Sequence, residues 1–322
     1  MIRNRTVDIC KGIGILAMII GHLNFPYCSF IYSFHMPLFF ILAGYFYRPK
    51  RICNGVRNDF YRLIVPYIVF ASIFVLKFTV TKGLIGGGNF TLTSYSIIAL
   101  WAKGEMTNSD LAFGEISSVG AIWFLPAMFW CKTVYNIIYS TCHSIVVRIL
   151  ILTVFSLMSI YLFNNVVILP FGLLTGCSAL LFYSIGHLAQ CVEVNRIKPL
   201  MIFCFILSWV CAFLFSKMSM SSCRYDFLPL NYTGACGGTL AIYLLSSFLD
   251  KRLELLSKGL AWCGRYSMAI LCFHFVNAII DIEKRLGTND WLLMLIVQMI
   301  IIVPAVLICC RIEITRKLFA IK

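Results

Sequence analysis

Residues 291–311 read WLLMLIVQMIIIVPAVLICCR, a stretch whose only charged side chain is the final arginine. A bilayer core about 30 Å thick is crossed by roughly 20 apolar residues, because each residue of an α-helix advances 1.5 Å. The stretch therefore predicts a transmembrane helix, and it places the protein in the membrane class.

The composition of the whole chain agrees with this class. Of its 322 residues, 61% are hydrophobic and 12% are charged, and the mean hydropathy is +0.90. A soluble domain is normally about a quarter charged. Lipid is the solvent in which this composition is stable, and the lipid bilayer is the first expected partner.

The same pattern recurs along the chain and predicts an all-α, polytopic membrane bundle of about ten transmembrane helices. No repeat, soluble tail or second domain is visible, so residues 1–322 are expected to form a single integral membrane domain. The longest connection, 83–119, is expected to be a surface loop. The candidate spans are 7–24, 30–47, 62–83, 120–141, 146–163, 168–188, 199–216, 232–249, 260–281 and 291–311.

The basic residues predict the orientation of the bundle. The formal net charge is +14, and most of the 27 Lys and Arg residues fall on one side of the predicted membrane. The positive-inside rule then places both termini in the cytoplasm of a multi-pass protein of the cytoplasmic (inner) membrane. A nucleic-acid partner is not expected, because the charges lie between apolar runs instead of forming one basic domain. The first run is expected to be a retained helix and not a cleaved signal peptide.

The fifteen cysteines are expected to be packing residues. They lie mostly inside apolar runs, and no pair has C-x-x-C spacing. Neither a disulfide framework nor a zinc site is therefore indicated.

Ionisable side chains inside a membrane are costly, so each is a candidate for function. In the first span, Lys11 and His22 are separated by Ile15 and Met18 at spacings of four, three and four residues. Such spacing places all of them on one helical face. His22 is then roughly 16 Å beyond Lys11 along the helix axis.

Two further histidines are expected near His22. His35 is predicted a turn or so into the second helix, which returns from the outer side. His274 lies past the midpoint of the ninth span, in a polar stripe that includes Ser267 and Asn277. Histidine titrates near neutral pH and is a common general base for a hydroxyl. A single membrane histidine also often just hydrogen-bonds a neighbouring helix, and three histidines can bind a metal. No H-x-x-x-H pair is present, so no metal is expected.

Two other residues have open alternatives. Arg62, at the start of the third span, is either a snorkelling anchor or a clamp for the phosphates of a cofactor. Trp123 is more often an interfacial belt residue than a site residue.

The motifs together resemble the membrane acyltransferase-3 family, and within it the fucose 4-O-acetylase-like branch. The first fifty residues carry the most specific part of the resemblance. The motifs are Asp8-x-x-Lys11-Gly12-Ile13, Gly21-His22, Phe34-His35-Met36-Pro37-Leu38-Phe39-Phe40, Ala43-Gly44-Tyr45, Arg62 with Pro66-Tyr67, Trp123-Phe124-Leu125, and Gly264-x-x-Ser267 with His274.

This resemblance implies a ten-helix enzyme that transfers an acetyl group from acetyl-CoA, without a metal, to a hydroxyl of a cell-surface polysaccharide or a lipid-linked sugar. It implies catalytic roles for His22, His35, Ser267 and His274. Lys11 and Arg62 are the expected cofactor-binding residues. Lys11 stands where the family often has arginine, and Arg57 does not fit the family's R-x-x-R spacing. Trp123 and Asn277 are the expected substrate-binding residues.

A second function class stays open at this point. A transporter or flippase for a glycan or its precursor would also have many helices with internal polar stripes. The absence of an internal hydropathy repeat weighs against it. A receptor or scaffold would leave the histidines unexplained. The particular sugar and the oligomeric state are not readable from the sequence.

Overall fold

The computed structural model describes residues 4–23, 25–80, 100, 119–167, 169–192, 196–274, 287 and 290–319. The predicted loop 83–119 therefore lies almost wholly outside the described residues, as does Asn277. Within the described part the regular secondary structure is helical apart from one short hairpin, in which Met218–Ser219 (β1) pairs antiparallel with Arg224–Tyr225 (β2).

The helices are numbered here in chain order over the described residues. They are α1 (Arg5–Gly21), α2 (Cys28–Tyr32), α3 (His35–Tyr45), α4 (Ile52–Asp59), a π-helical turn (Phe60–Ile64), α5 (Val65–Phe78), a 3-10 turn (Gly120–Trp123), α6 (Phe124–Thr141), α7 (Ile145–Asn165), a 3-10 turn (Pro170–Gly172), α8 (Leu173–Ser178), α9 (Leu180–Leu188), a 3-10 turn (Ala189–Cys191), α10 (Pro199–Phe215), α11 (Leu228–Arg252), α12 (Glu254–Arg265), α13 (Ser267–His274), α14 (Trp291–Arg311) and α15 (Glu313–Leu318).

The all-α membrane class is confirmed, but the count of ten spans is not. Six helical segments of the described chain are long and apolar enough to cross a membrane, and a seventh results if the bent pair Pro170–Ser178 and Leu180–Cys191 is one span. The pair bends by 48°. α10 is apolar but shorter, and the predicted ninth span is broken at Tyr266 between α12 and α13. Each predicted segment contains helix, yet several are too short or too broken to count as a span.

The second predicted span is interrupted at Phe34, although Cys28–Tyr45 is still one of the six candidate spans. Phe34 has a non-helical backbone, with φ −137° and ψ −31°, and His35 is the first residue of α3 and not a turn inside it. Pro37 explains the break, because a proline cannot donate to the carbonyl four residues earlier and its ring would clash there. Within the first turn of a new helix its missing N–H costs little.

Helix α1 lies inside the bundle and packs against α3, α11, α12 and α13. Its closest neighbour is α12, where two glycines allow backbone to touch backbone. A Cβ on Gly264 would stand 1.7 Å from the Asp8 carbonyl oxygen, and one on Gly12 would stand 2.0 Å from that of Leu260. The two helices therefore approach each other as only glycine permits.

We expect Gly264→Val to prevent correct packing of α1 on α12. The neighbour is a backbone carbonyl, which cannot rotate away as a side chain would, so the cost should exceed the roughly 1–3 kcal/mol of ordinary overpacking. The measurement is the yield and thermal stability of the monodisperse protein in detergent.

Gly259→Val is the matched control on the same helix, since a Cβ at Gly259 meets nothing within 4 Å. Equal stability of the two variants would contradict the close approach of α1 and α12.

Candidate functional site

A cavity of about 630 Å³ opens between α1, α3, α4, α6, α9 and α13. Its size is in the range of sites that bind small molecules and cofactors. On α1, the residues Lys11, Ile15 and Met18 line one wall, which confirms the shared helical face that their spacing predicts.

One end of the cavity is strongly basic. Five cationic side chains line it, and Asp59 is the single acidic residue among the described lining residues. A concave surface with this excess of positive charge concentrates anions. The cations are Lys11, Arg48, Lys50, Arg62 and Lys132.

Arg62 owes its position to the π-helical turn Phe60–Ile64. Pro66 follows four residues later and cannot donate to the Arg62 carbonyl, and its ring would collide with that carbonyl in a regular α-helix. The widened turn avoids the collision, and π-turns of this kind are frequent at functional sites. The Arg62 side chain is exposed and lines the cavity, whereas Arg57, also exposed, is not among its described lining residues.

Asn136 of α6 holds the loop that carries Arg48 and Lys50. Its Oδ1 accepts from the Tyr47 hydroxyl at 2.7 Å and from the Lys50 backbone N–H at 3.4 Å, while its Nδ2 donates to the Lys50 carbonyl at 3.1 Å. The residue is 7% exposed and lines the cavity. One buried amide thus fixes the backbone from which two of the cations project.

One turn earlier on the same helix, Lys132 forms an ion pair with Asp59 of α4. Asp59 is 5% exposed, so this pair joins two helices in a partly dry place. A buried carboxylate needs such a partner. Thr133 also lines the cavity, and its buried Oγ1 has no hydrogen-bond partner within the described structure.

The inner end of the cavity is apolar. On α1, α3 and α13 the last lining residues are Met18, Met36 and Leu271. Met18 and Leu271 stand four and three residues before His22 and His274, whereas Met36 directly follows His35. None of these histidines is among the described residues that line the cavity. On α1 and α13 the cavity lining therefore ends roughly one turn, about 5 Å, before the histidine, whereas on α3 it ends at the residue next to His35.

The three predicted histidines are nevertheless brought together. The rings of His22 and His274 have centroids 5.3 Å apart and are tilted by 31°. His35 is close enough to His22 for an electrostatic interaction. His22 is exposed at the C-cap of α1, whereas His35 and His274 are 4% and 7% exposed.

His35 is held in one orientation by α2. Its Nδ1 lies 2.8 Å from the Ile31 carbonyl oxygen, which can only accept, so Nδ1 carries the proton. The same carbonyl also accepts the Phe34 backbone N–H at 3.2 Å, so the ring is tied to the turn that joins α2 to α3. The Tyr32 ring packs on His35 at 5.5 Å, and its hydroxyl donates to the Gly21 carbonyl at 2.8 Å, next to His22.

His274 has a partner that the sequence reasoning missed. Its Nδ1 lies 3.0 Å from Oε1 of Gln298, on α14. Gln298 is 2% exposed and stands in an otherwise apolar run. A buried amide in a transmembrane stretch is costly, and that cost was the signal that could have identified it.

The remaining predicted residues have different outcomes. Ser267 lines the cavity, about 10 Å along the helix from His274, so the structure does not bring it into the histidine cluster. Trp123 is 5% exposed, with its ring packed against Phe124, and is absent from the described cavity lining. Asn277 lies outside the described residues. In the described part of the chain, no three His, Cys, Asp or Glu residues are placed to hold a metal ion.

Comparison with known proteins identifies a family and a relative that the chain resembles. A protein-family model described as an acyltransferase domain matches residues 4–312. The chain is also similar to the nodulation protein NolL of Sinorhizobium fredii, at 32% identity over a segment that covers 22% of this chain and 24% of NolL. The match thus spans about a quarter of that relative's length. No solved structure matches the chain.

We expect Asn136→Leu to weaken anion binding in the cavity. Without the amide, the loop from Tyr47 to Lys50 loses three hydrogen bonds, so its cations are no longer held in place. The dissociation constant of inorganic pyrophosphate, used as an anionic probe and measured by calorimetry on the detergent-solubilised protein, should rise on the order of tenfold, equivalent to about 1.4 kcal/mol.

Asn165→Leu is the matched control, since that exposed side chain only bonds the Tyr161 carbonyl of its own helix. An unchanged affinity in the Asn136 variant would contradict this role for the loop.

Proposed function

The chain belongs to the acyltransferase-3 family, and from this premise we propose that it is a membrane O-acyltransferase. In this proposal it moves an acetyl group from acetyl-CoA to a hydroxyl of a cell-surface polysaccharide or lipid-linked sugar. The observation that carries the proposal is a basic cavity whose three helical walls lead to three clustered histidines.

The cavity suits the donor on the basis of charge and polarity. Coenzyme A has phosphate groups at one end and a long, mostly neutral pantetheine arm with a thiol at the other. The cations of the cavity are suited to phosphates, and the guanidinium of Arg62 can grip them in a bidentate way. The apolar inner end, with Met18, Met36 and Leu271, is suited to the arm.

The thioester then has to pass the apolar inner end, an interval of about one helical turn along α1, before it reaches His22. Two of the three side chains in that interval are methionines, which are unbranched and adapt their shape easily. In the proposal, Met18 and Met36 move aside when the arm enters. The exposure of His22 at the opposite end of the interval supports entry of the acceptor from that side.

His22 acts as the general base in this mechanism. It takes the proton of the sugar hydroxyl while the oxygen attacks the thioester carbon. The tetrahedral intermediate then expels coenzyme A as a thiolate, and the His22 imidazolium returns the proton to that sulfur. The ester is formed, free coenzyme A leaves, and the histidine is neutral again. His35, with its proton held on Nδ1, and His274 surround the base.

The wider setting is also part of the proposal. The basic end of the cavity faces the cytoplasm, both termini lie there, and the chain forms a single domain of about ten spans in the cytoplasmic membrane. The donor then arrives from inside, and the acceptor arrives from outside. The sugar acceptor and the acetyl group rest on the resemblance of the sequence to the fucose 4-O-acetylase-like branch. Trp123 and Asn277 remain the proposed substrate contacts.

We expect His22→Ala to abolish acetyl transfer but to leave donor binding intact. The cavity ends before His22, so removal of the ring does not touch the proposed donor site. The measurement is the release of free coenzyme A and labelled product from acetyl-CoA by purified protein with membrane-derived glycolipid. Loss of a general base typically costs 10²–10⁴-fold.

His143→Ala is the control, because His143 is exposed in the turn between α6 and α7. Turnover near the wild-type rate in the His22 variant would refute the base assignment. If the wild-type protein itself released neither product nor coenzyme A, the acyltransferase proposal would fail and a carrier would be favoured.

We expect Arg62→Gln to raise the KM for acetyl-CoA on the order of tenfold, since a charge-assisted hydrogen bond contributes about 1.5–3 kcal/mol. Arg57→Gln removes the same charge from the same region of the chain but from outside the cavity lining. Its KM should change less than about twofold.

The two variants together distinguish direct contact between Arg62 and the phosphates from long-range attraction by the basic surface. Equal increases in the two variants would show that Arg62 acts only through that field.

A further inference from the structure

Gln298 is a buried polar residue without an obvious structural reason. It lies near the middle of α14, is 2% exposed, and has apolar neighbours on both sides in sequence. Burying an amide in an apolar environment is unfavourable unless both of its ends are hydrogen-bonded. An apolar side chain of similar size would fill the same space without that cost.

One end of the amide is satisfied by His274. The Gln298 Oε1 faces the His274 Nδ1 at 3.0 Å. An amide oxygen can only accept a hydrogen bond, so the proton of the neutral imidazole lies on Nδ1 and the lone pair lies on Nε2. Gln298 thus sets both the orientation and the tautomer of the ring that contacts His22.

The other end of the amide is unsatisfied. The Gln298 Nε2 is buried and has no hydrogen-bond partner within the described structure. Its two N–H groups are fixed in place by the bond that the same amide makes to His274. A donor that is held rigidly, kept dry and left unpaired beside a reactive group is the kind of group that stabilises developing negative charge on an oxygen.

We propose that Gln298 completes the acyl-transfer site in two ways, as the positioning residue of His274 and as the hydrogen-bond donor to the carbonyl oxygen of the acyl group. This inference rests on the function proposed above. When the acceptor oxygen attacks, the carbonyl oxygen becomes an oxyanion, and the Gln298 Nε2 gains a partner that the described residues do not give it. The neutral His274, with its Nε2 lone pair, adds no second positive charge beside the His22 imidazolium.

Two substitutions separate these roles. Gln298→Glu keeps an oxygen that accepts from His274 Nδ1 but removes the amide N–H groups. Gln298→Leu removes both the acceptor and the donor. Each variant is tested as the full chain in detergent, with coenzyme A affinity as the check of folding, since Gln298 does not line the donor cavity among its described residues.

The tautomer is read by nitrogen NMR of protein labelled with ¹⁵N-histidine. The chain has five histidines, and the spectrum of a His274→Asn variant assigns the signals of His274. We expect the proton on Nδ1 in the wild-type protein and in Gln298→Glu, and a mixture of tautomers in Gln298→Leu. A wild-type ring with its proton on Nε2 would overturn the proposal without reference to any variant.

Kinetics with labelled acetyl-CoA then test the donor role. In Gln298→Glu, we expect kcat to fall about 100-fold, as for the loss of one oxyanion donor, with the KM for acetyl-CoA within twofold of wild type. In Gln298→Leu, kcat should fall further. Wild-type kcat in Gln298→Glu would overturn the donor role, and wild-type kcat in Gln298→Leu would overturn both roles. A wild-type protein that binds coenzyme A but transfers nothing would count against the acyltransferase function, and the NMR result would still decide the His274 contact.

Discussion

The close approach of α1 and α12 is the constraint on which the site depends. Gly12 and Gly264 let the two backbones meet at a distance that any side chain would prevent. That contact sets α1 in the centre of the bundle, and the chain continues from α12 into α13 after a single residue. Lys11 and His22 on one helix are therefore placed opposite Ser267 and His274 on the other. In lipid the hydrophobic effect does little to hold helices together. Van der Waals contact between closely packed small residues has to hold them instead.

The site that results has two parts with different electrostatics. The basic cavity groups five cations around one carboxylate, and a buried amide and an ion pair between helices hold its wall. The histidine cluster lies beyond an apolar interval, with two of its rings almost fully buried. This separation is chemically useful for the proposed reaction. Phosphate recognition needs charge and tolerates water, whereas a neutral base and a polarised carbonyl benefit from a dry surrounding.

The two buried histidine rings are each held by a hydrogen bond at the same nitrogen. His35 and His274 each have Nδ1 engaged, by the Ile31 carbonyl and by Gln298. In its neutral form each ring therefore presents Nε2 with its lone pair toward a further partner. The one donor left without a described partner in this group is the Gln298 amide. A membrane interior penalises an unused donor strongly, so its presence here is better explained by a ligand than by the fold.

The sequence by itself determined the membrane class, the helical content, the shared face of Lys11, Ile15 and Met18, and three histidines near one another. The first three follow from composition or from the 3.6-residue period, which are local properties of the chain, and the last follows from the depth of each histidine in its predicted span. It did not determine the number of uninterrupted spans, because the bend between α8 and α9 and the break at Tyr266 depend on the geometry of single turns.

Only the tertiary structure decided that Ser267 lines the basic cavity, that none of the three histidines is among the described residues lining it, and that Gln298 is the partner of His274. Those facts depend on how helices distant in sequence rotate and approach one another. A polar residue within an apolar run shows that a partner is needed, but packing alone determines which side chain supplies it.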